Sequence, residues 1–121
     1  MDIIYLHGLR CEGRIGVHKW EKNIDQVLSI DLDLAIDASK AAQSDDLKDA
    51  LDYQLVTQRV QAYVAENQFD LIETLAERLS AVLLEDFGVS WLRIKVDKGR
   101  AVSGVKSVGI ILERGDKGAS I

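Results

Sequence analysis

The stretch that decides the fold is "QVLSIDLDLAID", residues 26–37. Leu28, Ile30, Leu32, Leu34 and Ile36 fall on one parity, and Ser29, Asp31 and Asp33 on the other. A period of two marks a strand with one covered and one wet face. That pattern suits an antiparallel sheet, because parallel sheets are covered on both faces.

Upstream, residues 2–14 read as a first strand with Ile3, Tyr5, His7 and Leu9 on one parity, followed by a polar loop over residues 16–24, GVHKWEKNI. Downstream, residues 38–52 are polar and acidic, with Ser44-Asp45-Asp46 as a helix-start signal. A helix is predicted over 54–66, with Val56, Val60, Tyr63 and Val64 as its apolar stripe and Asn67-Gln68 as its break. "FDLIETLAERLSAVLLEDFG", residues 69–88, predicts a second helix. Asp70 is placed to cap it, Glu73 completes a capping-box spacing, and Phe69 is a staple residue. Leu71, Ile72, Leu75, Leu79, Val82 and Leu83 form its stripe, and Gly88 ends it. A strand "WLRIKVDK" (91–98), a turn over 99–104 and a strand "SVGIILER" (107–114) follow, with a frayed polar end over 115–121.

The order β-β-α-α-β-β predicts an α+β fold, a four-stranded antiparallel sheet with two helices on one face. There is no internal repeat or long linker, so one domain over residues 1–115 with a flexible C-terminal tail, 116–121, is expected. Proline is absent, so neither edge strand carries the residue that often blunts an edge. Such edges invite pairing between subunits. Sheets from several chains would then close into a shared barrel lined by Asp31 and Asp33.

Composition narrows the chemistry. The chain has 121 residues, 47% of them apolar and 29% charged, with a net charge of −5. The negative balance argues against a nucleic-acid partner, because phosphate binding needs a basic footprint. No stretch has the length of a membrane span, and no basic region followed by an apolar run marks a signal peptide, so a cytoplasmic protein is expected. Cys11 is alone and makes no intrachain disulfide. His7, His18 and Cys11 are too few for an ordinary zinc site, and no EF-hand-like spacing occurs. No nucleophile elbow, phosphate loop or CxxC motif is present.

Lys98 is the first candidate for chemistry. Alternation puts it on the apolar face with Leu92, Ile94 and Val96, just before Gly99. Taken alone, a strand-end lysine more often packs its stem and sends its amine to water. The functional reading is a partly desolvated amine able to exchange protons. Glu73 reads structurally as the capping-box glutamate. It also lies off the apolar stripe at a helix N-terminus, where a carboxylate can accept paired hydrogen bonds from an amidine-like edge. Tyr53, between the acidic loop and a helix, reads first as aromatic packing. Glu21, in "KWEKN", reads as a solvated loop residue, and His18 is equally bland.

Taken together, these residues resemble one family. "IGVHKWEK" (15–22), "SDDLKDALDY" (44–53), "FDLIETLAERL" (69–79) and "LRIKVDK" (92–98), in this order, are similar to the dihydroneopterin aldolases of folate biosynthesis, over residues 2–114. The resemblance implies the tunnelling fold, in which four subunits form a ring and two rings stack as a homo-octamer. It implies retro-aldol cleavage of 7,8-dihydroneopterin, a pterin, to 6-hydroxymethyl-7,8-dihydropterin and glycolaldehyde, at sites between neighbouring subunits. Glu73 then corresponds to the glutamate anchoring the pterin 2-amino and N3 groups, helped by the backbone near Ile72. Lys98 corresponds to the general acid/base, Tyr53 to a tyrosine assisting proton transfer, and Glu21 to a glutamate near the side-chain hydroxyls and the lysine. The N5=C6 imine of the substrate is its own electron sink, so neither cofactor nor metal is expected.

One departure stands beside Lys98. The family follows its lysine with Pro-Gly-Ala, whereas here Gly99-Arg100-Ala101 follows. Gly99 would loosen the backbone there, and Arg100 adds a charge near the site. This departure keeps two alternatives open: dihydroneopterin triphosphate 2′-epimerase, whose members also lack that Pro-Gly pair, and a non-catalytic pterin-binding oligomer.

Overall fold

An alternation that buries Leu28, Ile30, Leu32 and Leu34 makes its strand the natural centre of a sheet, and the computed structural model, which describes residues 1–117, has it there. The strands are β1 (Asp2–Ile15), β2 (Gln26–Ile36), β3 (Gln68–Phe69), β4 (Trp91–Asp97) and β5 (Gly109–Gly115). The helices are α1 (Ser39–Ser44), α2 (Tyr53–Glu66) and α3 (Ile72–Phe87). The sheet order is β3-β1-β2-β4-β5, and the four long strands are antiparallel. The fold class is as expected. The fifth strand is an addition: Gln68 and Phe69 pair in parallel with Arg14 and Ile15.

Helix α2 lies over β1, and α3 over β4 and β5. Leu28, Ile30 and Leu32 meet Leu92, Ile94 and Val96 of β4, with Val56, Val60 and Val64 of α2 and Leu75, Leu79 and Leu83 of α3 covering them. Each such aliphatic side chain gains about 1.5–3 kcal/mol on full burial. The wet face carries His7, Asp33 and Arg93, with His7 Nε2 2.8 Å from Asp33 Oδ1.

Three local expectations are corrected. The single parity of Ile3, Tyr5, His7 and Leu9 breaks at a β-bulge between Leu6 and Leu9. Gly8 adopts φ +73°, its N–H donates to Asp31 Oδ1 at 2.6 Å, and the inward set becomes Ile4 and Leu6, then Leu9, Cys11 and Ile15. An extra residue in one strand reverses the parity that follows it. Ser44-Asp45-Asp46 does not start a long helix. It ends α1, with Asp45 at φ 52°, and Asp46 then caps a 3₁₀ turn over Leu47–Asp49. Asp52 is the residue that caps α2, accepting from Gln54 N–H and Leu55 N–H.

The third correction bears on function. Asp70 does not cap α3. Leu71 stands at the N-cap with no side-chain hydrogen bond, and Asp70 pairs with Lys22 at 3.3 Å. Pairing of Gln68 and Phe69 with β1 holds the approach extended, so the helix begins too late for the Asp70–Glu73 box. Glu73 is thereby left exposed in the first turn. At the other end, Gly88 takes φ 63° and closes α3 as expected.

The expected tail begins with two contacts to the start of β4. Asp116 N–H donates to Ser90 O at 2.8 Å, and Lys117 Nζ lies 4.7 Å from the Trp91 ring centre. The expected tail beyond them, residues 118–121, lies outside the described residues. Among the described residues no helix is long and apolar enough to cross a membrane.

Leu79, with no exposed surface on the sheet-facing side of α3, gives a direct check of this packing. Leu79→Ala is expected to lower the unfolding free energy by about 2–5 kcal/mol in urea titrations at fixed protein concentration. A loss under about 1 kcal/mol would mean the site tolerates a cavity that a close-packed core does not.

Candidate active site

Lys98 ends the apolar parity of β4, so its stem starts inside the fold. Its amine is turned to a carboxylate rather than left to water alone. Lys98 Nζ donates to Glu21 Oε2 at 2.6 Å, and the two side chains retain 13% and 6% of their exposure. Glu21 reaches this position because residues 18–23 curl: Glu21 N–H donates to His18 O at 3.0 Å and starts a 3₁₀ turn, Glu21–Asn23. The second carboxylate oxygen, Oε1, accepts from His18 N–H at 3.2 Å. The bland reading of Glu21 as a solvated loop residue is therefore wrong.

The hydrogen bond from Lys98 holds the Glu21 carboxyl below its ordinary value; burial opposes this, and the His18 N–H reinforces it. A charged pair out of water survives only when its remaining lone pairs are satisfied, which the His18 N–H does.

The turn after Lys98 is pinned, contrary to the expected loosening. Lys98 N–H donates to Val108 O at 2.8 Å, and Val108 N–H returns to Gly99 O at 3.1 Å. Gly99 N–H donates to Asp97 Oδ1 at 2.7 Å, with Gly99 at φ +72°. This is an Asx turn, and proline could not make it, having neither the N–H nor the positive φ. The chain thus replaces the stiff ring of a proline with an Asp97 side-chain bond. Arg100 does not line the cleft; with Ser103 and Lys106 it lines an adjoining concavity of about 460 Å³.

Lys98 and Glu21 open onto a cleft of about 360 Å³. Ile72 and Glu73, from the first turn of α3, form one wall, and Val17, Trp20 and Val102 contribute apolar surface. Neighbouring Glu77 is occupied elsewhere, taking a 2.6 Å hydrogen bond from Arg114. The chain therefore brings together four of the five expected residues: Glu21, Ile72, Glu73 and Lys98. Tyr53 is not among them. It is 55% exposed at the start of α2 and lines a separate hollow with Asp45, Asp46 and Leu47.

The arrangement offers a largely buried lysine–carboxylate pair, an accessible carboxylate at a helix N-terminus, and apolar surface from Val17, Trp20 and Val102 beside them. Among the described residues no three of His, Cys, Asp and Glu gather as metal ligands. Two contributors were missed from the sequence. Gly16 packs against the Glu21 carboxylate, and its only signal was a glycine ending a strand five residues before an acid. Asp97 had a clearer one, the Asp-x-Gly spacing of an Asx turn.

Comparisons with known proteins bear on this geometry. The family model described as dihydroneopterin aldolase matches residues 4–113. Dihydroneopterin aldolase of Escherichia coli K12 is 40% identical over 116 residues, which is 96% of this chain and 95% of that protein. The crystal structure of the E. coli enzyme in complex with neopterin superposes with a TM-score of 0.92 at 41% identity, covering 95% of this chain and all of that one. A dihydroneopterin aldolase from Burkholderia thailendensis, bound to guanine, has a TM-score of 0.79 at 26% identity, covering 96% and 92% of the two chains.

The ion pair predicts a pH signature. A carboxyl held low in the folded state contributes stability above its unfolded value, near 4.5, and loses it as the pH falls through the lower folded value. Glu21→Gln is expected to be about 1–3 kcal/mol less stable than wild type at neutral pH, since it leaves a buried cation short of its partner. The gap should narrow below pH 4.5 in pH-dependent urea melts. A gap that is constant with pH would contradict a charged Glu21 in the fold.

Proposed function

The chain belongs to the dihydroneopterin aldolase family, and from that membership we propose a reading of the cleft in which each residue has a part in the retro-aldol cleavage of 7,8-dihydroneopterin. The tunnelling fold is shared with that family. The observation that carries the reading is the largely buried Lys98–Glu21 pair at 2.6 Å, lining the same cleft as the exposed Glu73.

Glu73 accepts from the 2-amino and N3–H groups of the pterin, two parallel bonds to a carboxylate that fix the ring in its plane. The backbone at Ile72 supports that edge. The side chain of the substrate then extends towards Lys98. A proton leaves the 2′-hydroxyl for the Lys98–Glu21 pair, and the C1′–C2′ bond opens to release glycolaldehyde. The electron pair passes through C6 to N5, and a proton returned to C1′ completes the hydroxymethyl group. One proton leaves the oxygen and one arrives at the carbon, so the step balances with no oxidant. The imine of the substrate takes up the charge, which leaves positioning and proton transfer to the protein.

Tyr53 fits this chemistry only if a neighbouring subunit brings it to the cleft. We take the site to be shared between subunits of a ring, with two tetrameric rings forming an octamer, in the cytoplasm. The long β1 edge is paired by β3 only at Arg14 and Ile15, and β5 is the other edge, so both can accept strands.

A second reading, 2′-epimerisation of dihydroneopterin triphosphate, draws on Arg100 and Lys106, whose concavity shares Val102 with the cleft. One assay separates the readings. With 7,8-dihydroneopterin and EDTA, equal amounts of 6-hydroxymethyl-7,8-dihydropterin and glycolaldehyde are expected. No cleavage there, with 2′-epimerisation when dihydroneopterin triphosphate is supplied instead, would favour the epimerase, and pterin binding without turnover of either would favour the non-catalytic oligomer.

The roles predict distinct kinetic losses. Lys98→Ala should lower kcat about 10²–10⁴-fold with KM little changed. Glu73→Ala should act mainly on binding, read by pterin titration. An intact rate in Lys98→Ala contradicts the mechanism. Co-assembling Lys98→Ala with Tyr53→Phe subunits should restore activity to a mixture of two impaired parents, because some sites then draw both wild-type groups from different chains. A mixture as inactive as its parents contradicts the shared site.

A further inference from the structure

We propose that Gly16 is the positioning residue of the acid/base pair: its bare α-carbon is the seat of the Glu21 carboxylate. The proposal rests on the reading that Glu21 and Lys98 carry the proton transfer.

Gly16 follows directly on β1 and is buried. It adopts φ +138°, in the region that favours glycine. A Cβ built there would collide with Cδ and with both carboxylate oxygens of Glu21. The collision is with the reacting end of the side chain, so the glycine is matched to a functional group rather than to packing. Gly13, three residues earlier, offers the contrast: a Cβ there meets Val64, a core residue of α2.

The other side of Gly16 is equally committed. Its N–H donates to Phe69 O at 3.1 Å, extending the two-residue ladder between β1 and β3. Phe69 leads within four residues to Glu73. One residue therefore touches the proton-transfer carboxylate through its α-carbon and the segment bearing the ring-binding carboxylate through its amide. Gly16 sets the distance between the two halves of the site.

The Glu21 carboxylate cannot keep its place if Gly16 gains a methyl group. Its hydrogen bond from Lys98 Nζ and that from His18 N–H both depend on that place. Displacement of the order of an ångström at a reacting group costs about 100-fold in rate.

The test is Gly16→Ala in the full-length assembled protein, assayed with 7,8-dihydroneopterin. We expect kcat to fall about 100-fold, with KM within about threefold because Glu73 still binds the ring. The acid limb of the kcat/KM profile should move to higher pH, since a carboxyl that has lost its Lys98 hydrogen bond rises towards its ordinary value. Gly16→Ala/Glu21→Asp, whose carboxylate is withdrawn by one methylene, should be faster than the product of the two single effects. Wild-type kcat and acid limb in Gly16→Ala, or strictly multiplicative effects in the pair, overturn the proposal.

Stability gives an independent arm should Gly16→Ala fold poorly. Alanine at this φ is strained whatever surrounds it. Only the collision depends on Glu21. Gly16→Ala must therefore lower the melting temperature less in a Glu21→Ala background than in wild type, and equal losses overturn the seat. This arm needs no activity. A fully active Glu21→Gln would sink the catalytic reading while leaving the stability coupling to be judged alone.

Discussion

The structure of the site depends on one contact, the 2.6 Å ion pair between Lys98 and Glu21. It joins residues 77 positions apart, one ending a central strand and one starting a 3₁₀ turn in the loop after β1. Neither charge could stay inside without the other, because an isolated buried charge costs several kcal/mol. The loop over residues 16–23 must therefore close onto the end of β4. Each partner is held from behind: the carboxylate by Gly16 and His18 N–H, the lysine backbone by Val108 O and the Asp97–Gly99 turn. In the proposed mechanism, the pair is where folding and chemistry make the same demand.

What was legible in the sequence was what one element decides for itself. The alternation of β2 and the stripe of Leu75, Leu79 and Leu83 name both faces of the core, because a strand or helix between sheet and solvent has a single periodicity. Lys98 was legible on the same grounds, as the last residue of an inward parity. The failures arise where a second element intervenes. The parity of β1 reverses at Gly8, where the backbone bonds to Asp31 of β2. The capping box of α3 dissolves because β3 pairs with β1 and delays the helix.

Glu21 is the sharper case. Nothing in "KWEKN" distinguishes a buried acid from a solvated one, since the burial comes from a strand far along the chain. Its importance entered through resemblance, and its reason is now geometric. The absence of proline after Lys98 reads differently as well. The turn at Gly99 is not loosened but held by an aspartate, the Asp97 side chain bonding Gly99 N–H.

The residues of the cleft differ in exposure. Glu73 stands exposed on the first turn of α3, where a ligand can reach it, while Glu21 is buried and Lys98 largely so. In the proposed mechanism, binding falls to Glu73 and proton transfer to the pair, both lining one cleft. The central claim is that the ion pair aims a single amine at the substrate carbon left by bond cleavage. Turnover in D₂O tests it most directly, by the stereochemistry of deuterium in the hydroxymethyl group of the product after chiral derivatisation. The account predicts one deuterium in one configuration from the wild-type protein and a mixture of configurations from Glu21→Gln. A racemic label from the wild type, or an unchanged single configuration from Glu21→Gln, would contradict it.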